Sequence, residues 1–150
     1  MAGTLRLGTF FTLAEFEVTS TGLPNDVPAN VVPRLLALVT NILDPLRRAL
    51  GRPVHVTSGY RSFAVNKAIG GSATSAHMQG EAADIYVDGV GAEALAMAIV
   101  ILGVGADQII WYDAERGGHV HVSYTADRLN RNQRLWAPAD GGYRPWMEAS

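Results

Sequence analysis

Cysteine is missing from this 150-residue chain. Disulfides and thiolate metal sites are therefore excluded, so a metal site would have to use histidine and carboxylate ligands. A strong charge of one sign is also missing, because twelve basic and fourteen acidic residues leave a net charge of -2. This balance provides no strong field to gather nucleic acid or anionic lipid, and we expect neither as a partner. The local basic residues Arg128, Arg131 and Arg134 are interpreted as solvated surface.

Long apolar runs are missing as well. The longest, Ala94 to Val104, follows Glu93 and is too short to cross a bilayer. Met1 to Phe11 lacks the charged region, continuous apolar core and small-residue cleavage site of a secretory signal. We therefore expect a protein that is made in the cytoplasm and does not insert into a membrane. To meet a substrate outside the membrane it would need lysis-type release or carriage on a particle.

The composition is that of an ordinary folded protein. Apolar residues make up 48% and charged residues 17% of the chain, close to average globular usage. A chain of this length can bury a core but is too short for two comfortable domains. We predict a single domain over residues 1–150, with its core between about residues 10 and 135, and we expect a monomer.

Apolar periodicity predicts the secondary structure. The clearest helix covers residues 31–50, and Pro45 lies inside this pattern and should kink it. The other elements are helices over 63–69 and 92–102 and strands over 54–57, 82–87, 108–112 and 119–124. The last two strands are close enough to form a hairpin. Helices thus precede and separate strands, which predicts an α+β fold with a small, mostly antiparallel sheet and flanking helices.

Two histidines alternate with valine near the end of the predicted sheet. Because successive side chains of a strand point to opposite faces, His119 and His121 share one face with Ser123. Both histidines can bind a metal, or one can bind it while the other contacts a substrate. His55, within an apolar strand, is interpreted as structural.

A histidine and an aspartate stand seven residues apart upstream of this pair. Gly80 permits a tight turn after His77, and Asp84 then lies in an otherwise apolar strand. An unpaired carboxylate there would cost several kcal/mol, so Asp84 needs a cation. An ordinary ion pair with an arginine would explain Asp84, but it would leave His77 and the histidine pair unexplained.

Two histidines and one aspartate form the ligand set of a catalytic zinc, which keeps one position for water. Such a site favours hydrolysis, which also needs a base and a donor to the oxyanion. Asp113 and Glu115, in the hairpin before the histidine pair, are the candidate bases. Arg61 follows a strand end and is the candidate donor to the carbonyl oxygen.

These residues form recognisable patterns. The spacing S-x-H-x-x-G-x-A-x-D is matched in full by Ser75, His77, Gly80, Ala82 and Asp84. Residues 58–62 read S-G-Y-R-S. Both patterns resemble those of the M15 peptidases, the D-alanyl-D-alanine carboxypeptidases and phage endolysins of the hedgehog-like zinc fold. The resemblance covers most of residues 10–135 and is nearest to the phage-type subgroup.

The resemblance implies roles for five of the residues already singled out. By it, His77, Asp84 and His121 would bind Zn²⁺. His119 would assist at the oxyanion or the substrate, and Arg61 would contact the substrate carbonyl.

The resemblance also implies a substrate. Ser75, Tyr60 and Ser123 would contact it. The substrate would be the peptide of bacterial peptidoglycan, cut either by an endopeptidase or by a D-alanyl-D-alanine carboxypeptidase.

One departure from the family pattern concerns the base. Many members carry a catalytic acid as E-x-x-W-H, whereas Gly118 stands three residues before His121 here. Other members place the carboxylate further upstream, which keeps Glu115 and Asp113 as candidates. The alternative function is a catalytically inactive module that contains zinc and either binds the cell wall or forms part of a phage structure.

Overall fold

The computed structural model describes residues 5–147. Part of the segment interpreted as lacking a secretory signal, and both ends of the predicted domain, therefore lie outside the described residues. Among the residues described, no helix is both long and apolar enough to cross a membrane.

The main sheet has six strands. Its order is β3 (His55–Ser58), β4 (Ala82–Tyr86), β6 (Val120–Ser123), β5 (Gln108–Tyr112), β7 (Gln133–Ala137) and β8 (Arg144–Pro145). Neighbours are antiparallel except β5 and β7, which run parallel. A separate hairpin is formed by β1 (Arg6–Leu7) and β2 (Phe11–Thr12). The predicted α+β class is confirmed, but the sheet is larger than expected and mixed, because β7 and β8 were not predicted.

Four α-helices occur among residues 5–147. They are α1 (Val32–Leu38), α2 (Asp44–Leu50), α3 (Phe63–Ala68) and α4 (Ala92–Leu102). Ser62 caps α3 by accepting a hydrogen bond from the backbone N–H of Val65 at 3.2 Å. Helix α4 packs on β5 and β6 and against α2. Each predicted helix is therefore present at close to its expected boundaries.

Pro45 changes the predicted first helix in a specific way. A wide turn of π-helix, Val39–Leu43, joins α1 to α2, and the backbone N–H of Asp44 donates to the carbonyl of Val39. Pro45 has no N–H to donate to the preceding turn, and its ring would clash with a carbonyl of a regular helix. A π-bulge is a recognised way to absorb such a defect. The helical stretch therefore widens before Pro45 and continues to Leu50.

The two faces of the sheet have different environments. One face buries Ala83, Ile85, Ile109, Val120 and Val122 in the core with the helices. The alternate residues of the same strands, which include Asp84 and His121, lie on the opposite face. The core thus fixes which side chains the other face presents.

The basic stretch after β6 is not simply solvated surface. Asp107 is buried and accepts hydrogen bonds from Arg128 Nη1 at 2.8 Å and from Arg131 Nη2 at 2.9 Å. The backbone N–H of Arg131 also donates to it, at 2.9 Å. Burial alone would raise the pKa of Asp107, but the hydrogen bonds and charges of the two arginines outweigh it and hold this pKa far below its usual range. The loop between β6 and β7 is thereby tied to the start of β5.

We predict that Asp107→Asn lowers the free energy of unfolding by about 2 kcal/mol near neutral pH, since hydrogen bonds to charged groups are lost. The folded pKa lies below the unfolded value of about 3.9, so the unfolded state binds the extra proton. This contribution is therefore complete above about pH 5 and is lost as the pH falls below that. Urea unfolding at pH 6, 5, 4 and 3 should show the gap between wild type and variant closing.

Asp140→Asn is the matched control, because Asp140 pairs with Arg144 on an exposed surface where ion pairs contribute little. A gap between wild type and Asp107→Asn that stays constant down to pH 3 would contradict the ionic role of Asp107.

Candidate metal centre

The three predicted ligands come together on the polar face of the sheet. Asp84 in β4 lies directly opposite His121 in β6. His77 reaches the same place from a short 3-10 turn, Ala76–Gln79, that precedes β4. Asp84 Oδ1 lies 3.1 Å from His121 Nδ1 and 3.3 Å from His77 Nε2, and the two imidazole nitrogens are 3.3 Å apart. Among residues 5–147 these three form the group able to hold a metal ion.

The size of this triangle fits a tetrahedral metal site. In such a site with metal–ligand bonds of about 2.0–2.1 Å, neighbouring ligand atoms lie about 3.3 Å apart. The three observed separations, 3.1 to 3.3 Å, match that edge. Two imidazoles and one carboxylate are also a donor set that zinc accepts. The residues present therefore fit the implied metal without rearrangement.

The orientation of His77 is fixed by its neighbours. Its backbone N–H donates to Ser75 Oγ at 3.2 Å, and the turn ends at Gly80, whose φ is +73°. Its Nδ1 lies 2.7 Å from the carbonyl oxygen of Gly59. Because a carbonyl only accepts, Nδ1 carries the proton and Nε2 keeps its lone pair towards Asp84 and His121.

The S-G-Y-R-S segment positions this carbonyl. A Cβ on Gly59 would lie 2.7 Å from the Cα of Phe16, so only glycine permits this close approach. Tyr60 donates its backbone N–H to the carbonyl of Phe16, and Arg61 donates its own to the carbonyl of His77. The Tyr60 side chain is itself buried in the hydrophobic core. This placement gives Tyr60 a packing role and does not support the predicted contact with substrate.

The two oxygens of Asp84 have different partners. Oδ1 faces the two imidazoles, whereas Oδ2 lies 3.4 Å from Arg61 Nη2. Arg61 Nε also donates to Ser58 Oγ at 3.1 Å, which holds the guanidinium beside the cluster. Burial would raise the pKa of Asp84, but its interactions with the His121 and His77 imidazoles outweigh burial and keep the pKa far below its usual range. Asp84 is thus a carboxylate, the form that binds a cation.

His121 is held in its neutral form. Burial is the main cause that lowers the pKa of His121, and together with His77 and Arg61 it outweighs the hydrogen bond and charge of Asp84, which raise that pKa. A neutral imidazole is the form that binds a metal. The protonation states of Asp84 and His121 therefore both suit a metal centre.

His119 lies beside the cluster. Its ring stacks on Tyr112, with centroids 4.3 Å apart and an angle of 17° between the planes. Burial lowers the pKa of His119, and it is close enough to Asp84, His121, His77 and Arg61 for their charges to affect that pKa. The shared face predicted for His119 and His121 is thus consistent with the structure.

The two candidate bases lie in different environments. Asp113 accepts hydrogen bonds from Trp136 Nε1 at 3.0 Å and from the backbone N–H of Ala139 at 2.8 Å. It therefore lies on the Trp136 side of the sheet, which does not support its predicted role at the cluster. Glu115 is exposed on a short turn, Ala114–Arg116, between β5 and β6.

A cavity of about 560 Å³ opens above the cluster. It is lined by the three ligands and by three of the other predicted site residues, Arg61, Ser75 and Ser123. Other lining side chains were not predicted as site residues, among them Glu81, Tyr112, Arg128, Arg131 and Tyr143. Glu81 stands inside the ligand pattern, which is a signal that could have identified it. The arginines and Tyr143 reach the cavity through non-local pairing that no short pattern reveals.

Comparison with known proteins agrees with this geometry. A family model described as Peptidase M15 matches residues 9–123, which include all three ligands, and the chain belongs to that family. A zinc D-Ala-D-Ala carboxypeptidase from Streptomyces albus G is 37% identical over 90 residues. The match covers 59% of this chain and 35% of that protein, so it spans about a third of the relative's length. The predicted resemblance to the M15 peptidases is thus confirmed.

We predict that the protein binds about one zinc ion per chain, because its three ligands form the set of a catalytic site. Zinc should also raise Tm, since it binds the folded state. His77→Ala should lose the metal, whereas His55→Ala should keep it, because His55 contacts Asp88 and Tyr86 instead. Elemental analysis after dialysis measures the zinc content of the wild type and of each variant, and thermal unfolding measures Tm. Full zinc retention in His77→Ala, or none in the wild type supplied with zinc, would show that the site is wrong.

Proposed function

We propose that this protein is a zinc-dependent peptidase that hydrolyses peptide bonds in bacterial peptidoglycan. The observation that carries the proposal is the triangle of His77, Asp84 and His121 at the base of an open, polar cavity. Membership of the M15 family supports it, and the carboxypeptidase relative supports a wall peptide as the substrate class. The phage-type subgroup remains a prediction.

The residues around the cluster suit hydrolysis. Zinc, when bound, lowers the pKa of a water molecule and polarises a carbonyl. Arg61 uses Nη2 and Nε to contact Asp84 and Ser58, which leaves Nη1 for the oxygen of a substrate carbonyl. Donors aimed at a developing oxyanion are usually the largest single contribution to such catalysis. His119, neutral and stacked on Tyr112, is the second group proposed to contact the reacting carbonyl.

Glu115 is the carboxylate that we propose as the base. Both oxygens of Asp113 are already bonded to Trp136 and Ala139, so a catalytic role would require breaking those contacts. Glu115 makes no side-chain hydrogen bond to any residue described by the structure, and it lies in the same hairpin, four residues before His119. A free carboxylate of this length can move towards the reacting water when substrate binds.

A second candidate function is a zinc-containing wall-binding module without activity, either alone or as part of a phage structure. One observation favours it: neither predicted base contacts the metal cluster, since Asp113 is bonded elsewhere and Glu115 is exposed. A module of this kind would keep the metal centre and the cavity but would release nothing from cell walls.

We predict that the zinc-loaded protein releases soluble fragments from purified peptidoglycan and that His77→Ala releases none, because the variant loses the metal. Mass spectrometry of the products also identifies the bond. A single released amino acid indicates a carboxypeptidase, and two peptides indicate an endopeptidase. If the wild type binds zinc and walls yet releases nothing, the binding module is the correct function.

We predict that Glu115→Gln lowers kcat by about 10²–10⁴ with zinc content unchanged, the contribution of a general base. Asp113→Asn should instead keep kcat within about tenfold of wild type, a change smaller than loss of a base causes. The asparagine amide offers one acceptor oxygen to the two donors, Trp136 and Ala139. Asp113→Asn should therefore lower the free energy of unfolding by about 1–2 kcal/mol. Steady-state kinetics measures kcat of the two variants, and urea unfolding measures their stability. Loss of activity in Asp113→Asn alone would restore Asp113 as the base.

A further inference from the structure

The end of the cavity away from the metal ligands has its own set of charged side chains. Glu81, Asp107, Arg128 and Arg131 all line the cavity. Along β5, Ile110 lies opposite His121, whereas the backbone N–H of Asp107 bonds to the carbonyl of Ser123. Asp107 is thus three residues from the position beside the metal ligand, a distance of about 10 Å at the rise of a strand. An extended peptide covers that distance in about three residues.

Arg128 and Arg131 are held in place by Asp107, and each still has an N–H donor available. Asp107 accepts two parallel hydrogen bonds from Arg128, at 2.8 and 3.1 Å, and further bonds from Nε and Nη2 of Arg131. Both arginine side chains remain about half exposed. Nε of Arg128 and Nη1 of Arg131 donate to no group among residues 5–147. One arginine is enough to neutralise the charge of Asp107. The positive charge of the second arginine, and the remaining N–H donors, are therefore available to a ligand.

Glu81 adds an acceptor at the same end. Its Oε2 is buried and has no hydrogen-bond partner in the part of the chain that the structure describes. Glu81 is close enough to Arg128 to raise the pKa of that arginine, although more weakly than Asp107 does. A buried carboxylate oxygen without a donor costs free energy, and a ligand N–H would remove that cost.

We propose that this end of the cavity binds an amino-acid group of the substrate that carries a free carboxylate and an ammonium close together. Arg128 and Arg131 donate to the carboxylate, and Glu81 accepts from the ammonium. Arginine forks suit carboxylates, and the nearby Glu81 selects against a ligand that is only an anion. Both arginines lie beyond residues 9–123, so the family match does not assign them this role. The inference rests on the proposed function and names a part of its substrate.

The test uses three synthetic peptides that share one sequence ending in D-alanyl-D-alanine. In the first, a side chain two or three residues from the terminal bond ends in a free amino-acid group. In the second this group has a carboxamide in place of its carboxylate, and in the third its amine is acetylated. For the zinc-loaded wild type, the first peptide should have a kcat/KM about 10- to 100-fold above either of the others, which is the range expected for charge-assisted hydrogen bonds. The difference should lie mainly in KM.

Single variants separate the two contacts. Arg131→Gln should lose most of the preference for carboxylate over carboxamide, while Arg128 still balances Asp107 and the fold is kept. Glu81→Gln should lose the preference for the free amine over the acetylated one and keep the carboxylate preference. Arg52→Gln is the matched control, because Arg52 contacts the carbonyl of Asp88 and does not line the cavity.

Calorimetric Kd values for the three peptides on His77→Ala make the test independent of hydrolysis. If the wild type releases nothing from purified peptidoglycan but His77→Ala still prefers the first peptide, the subsite is supported and the proposed function is wrong. If the wild type cleaves all three peptides equally, the subsite is wrong and the proposed function stands. Equal Kd values for all three peptides would likewise overturn the subsite.

Discussion

The register between β4 and β6 is the constraint on which the site depends. It places Asp84 directly opposite His121, so that one carboxylate oxygen meets an imidazole nitrogen at 3.1 Å. A slip of one residue would turn every side chain of the strand to the other face. The core prevents that slip, because the alternate residues Ala83, Ile85, Val120 and Val122 are fully or almost fully buried. Packing on one face therefore builds the metal centre on the other.

Local patterns predicted the metal centre well and its surroundings poorly. The need of a carboxylate in an apolar strand for a cation identified Asp84, and the structure brings Asp84 together with His77 and His121. Strand β7 was missed, because Gln133–Ala137 has neither an apolar run nor a regular alternation, and its partner lies about 25 residues earlier in parallel register. The contacts of Asp113 depend on that unpredicted strand, so the sequence had no means of excluding it as a base.

Asp107 is buried and Asp84 is largely buried, and different partners offset the cost of burying each carboxylate. Burial opposes ionisation at both Asp84 and Asp107, and hydrogen bonding outweighs it at both. Asp107 is satisfied by the side chains of two arginines and by the backbone N–H of Arg131, so its role is complete without a ligand. Asp84 is satisfied mainly by two imidazoles, one of which is held neutral, and by a single longer contact to Arg61. The difference distinguishes a structural ion pair from a centre that can exchange its partners.

Strand β7 pairs in parallel with β5, and with it the metal ligands and one wall of the cavity come from different segments of the chain. Every metal ligand lies within residues 9–123, whereas Leu135 and Tyr143 bring a wall of the cavity from the segment that follows. Mutations in that segment can change which molecules fit the cavity while the ligand-bearing strands keep their own pairing. A chain built this way can change its substrate preferences through its last quarter without disturbing the metal ligands.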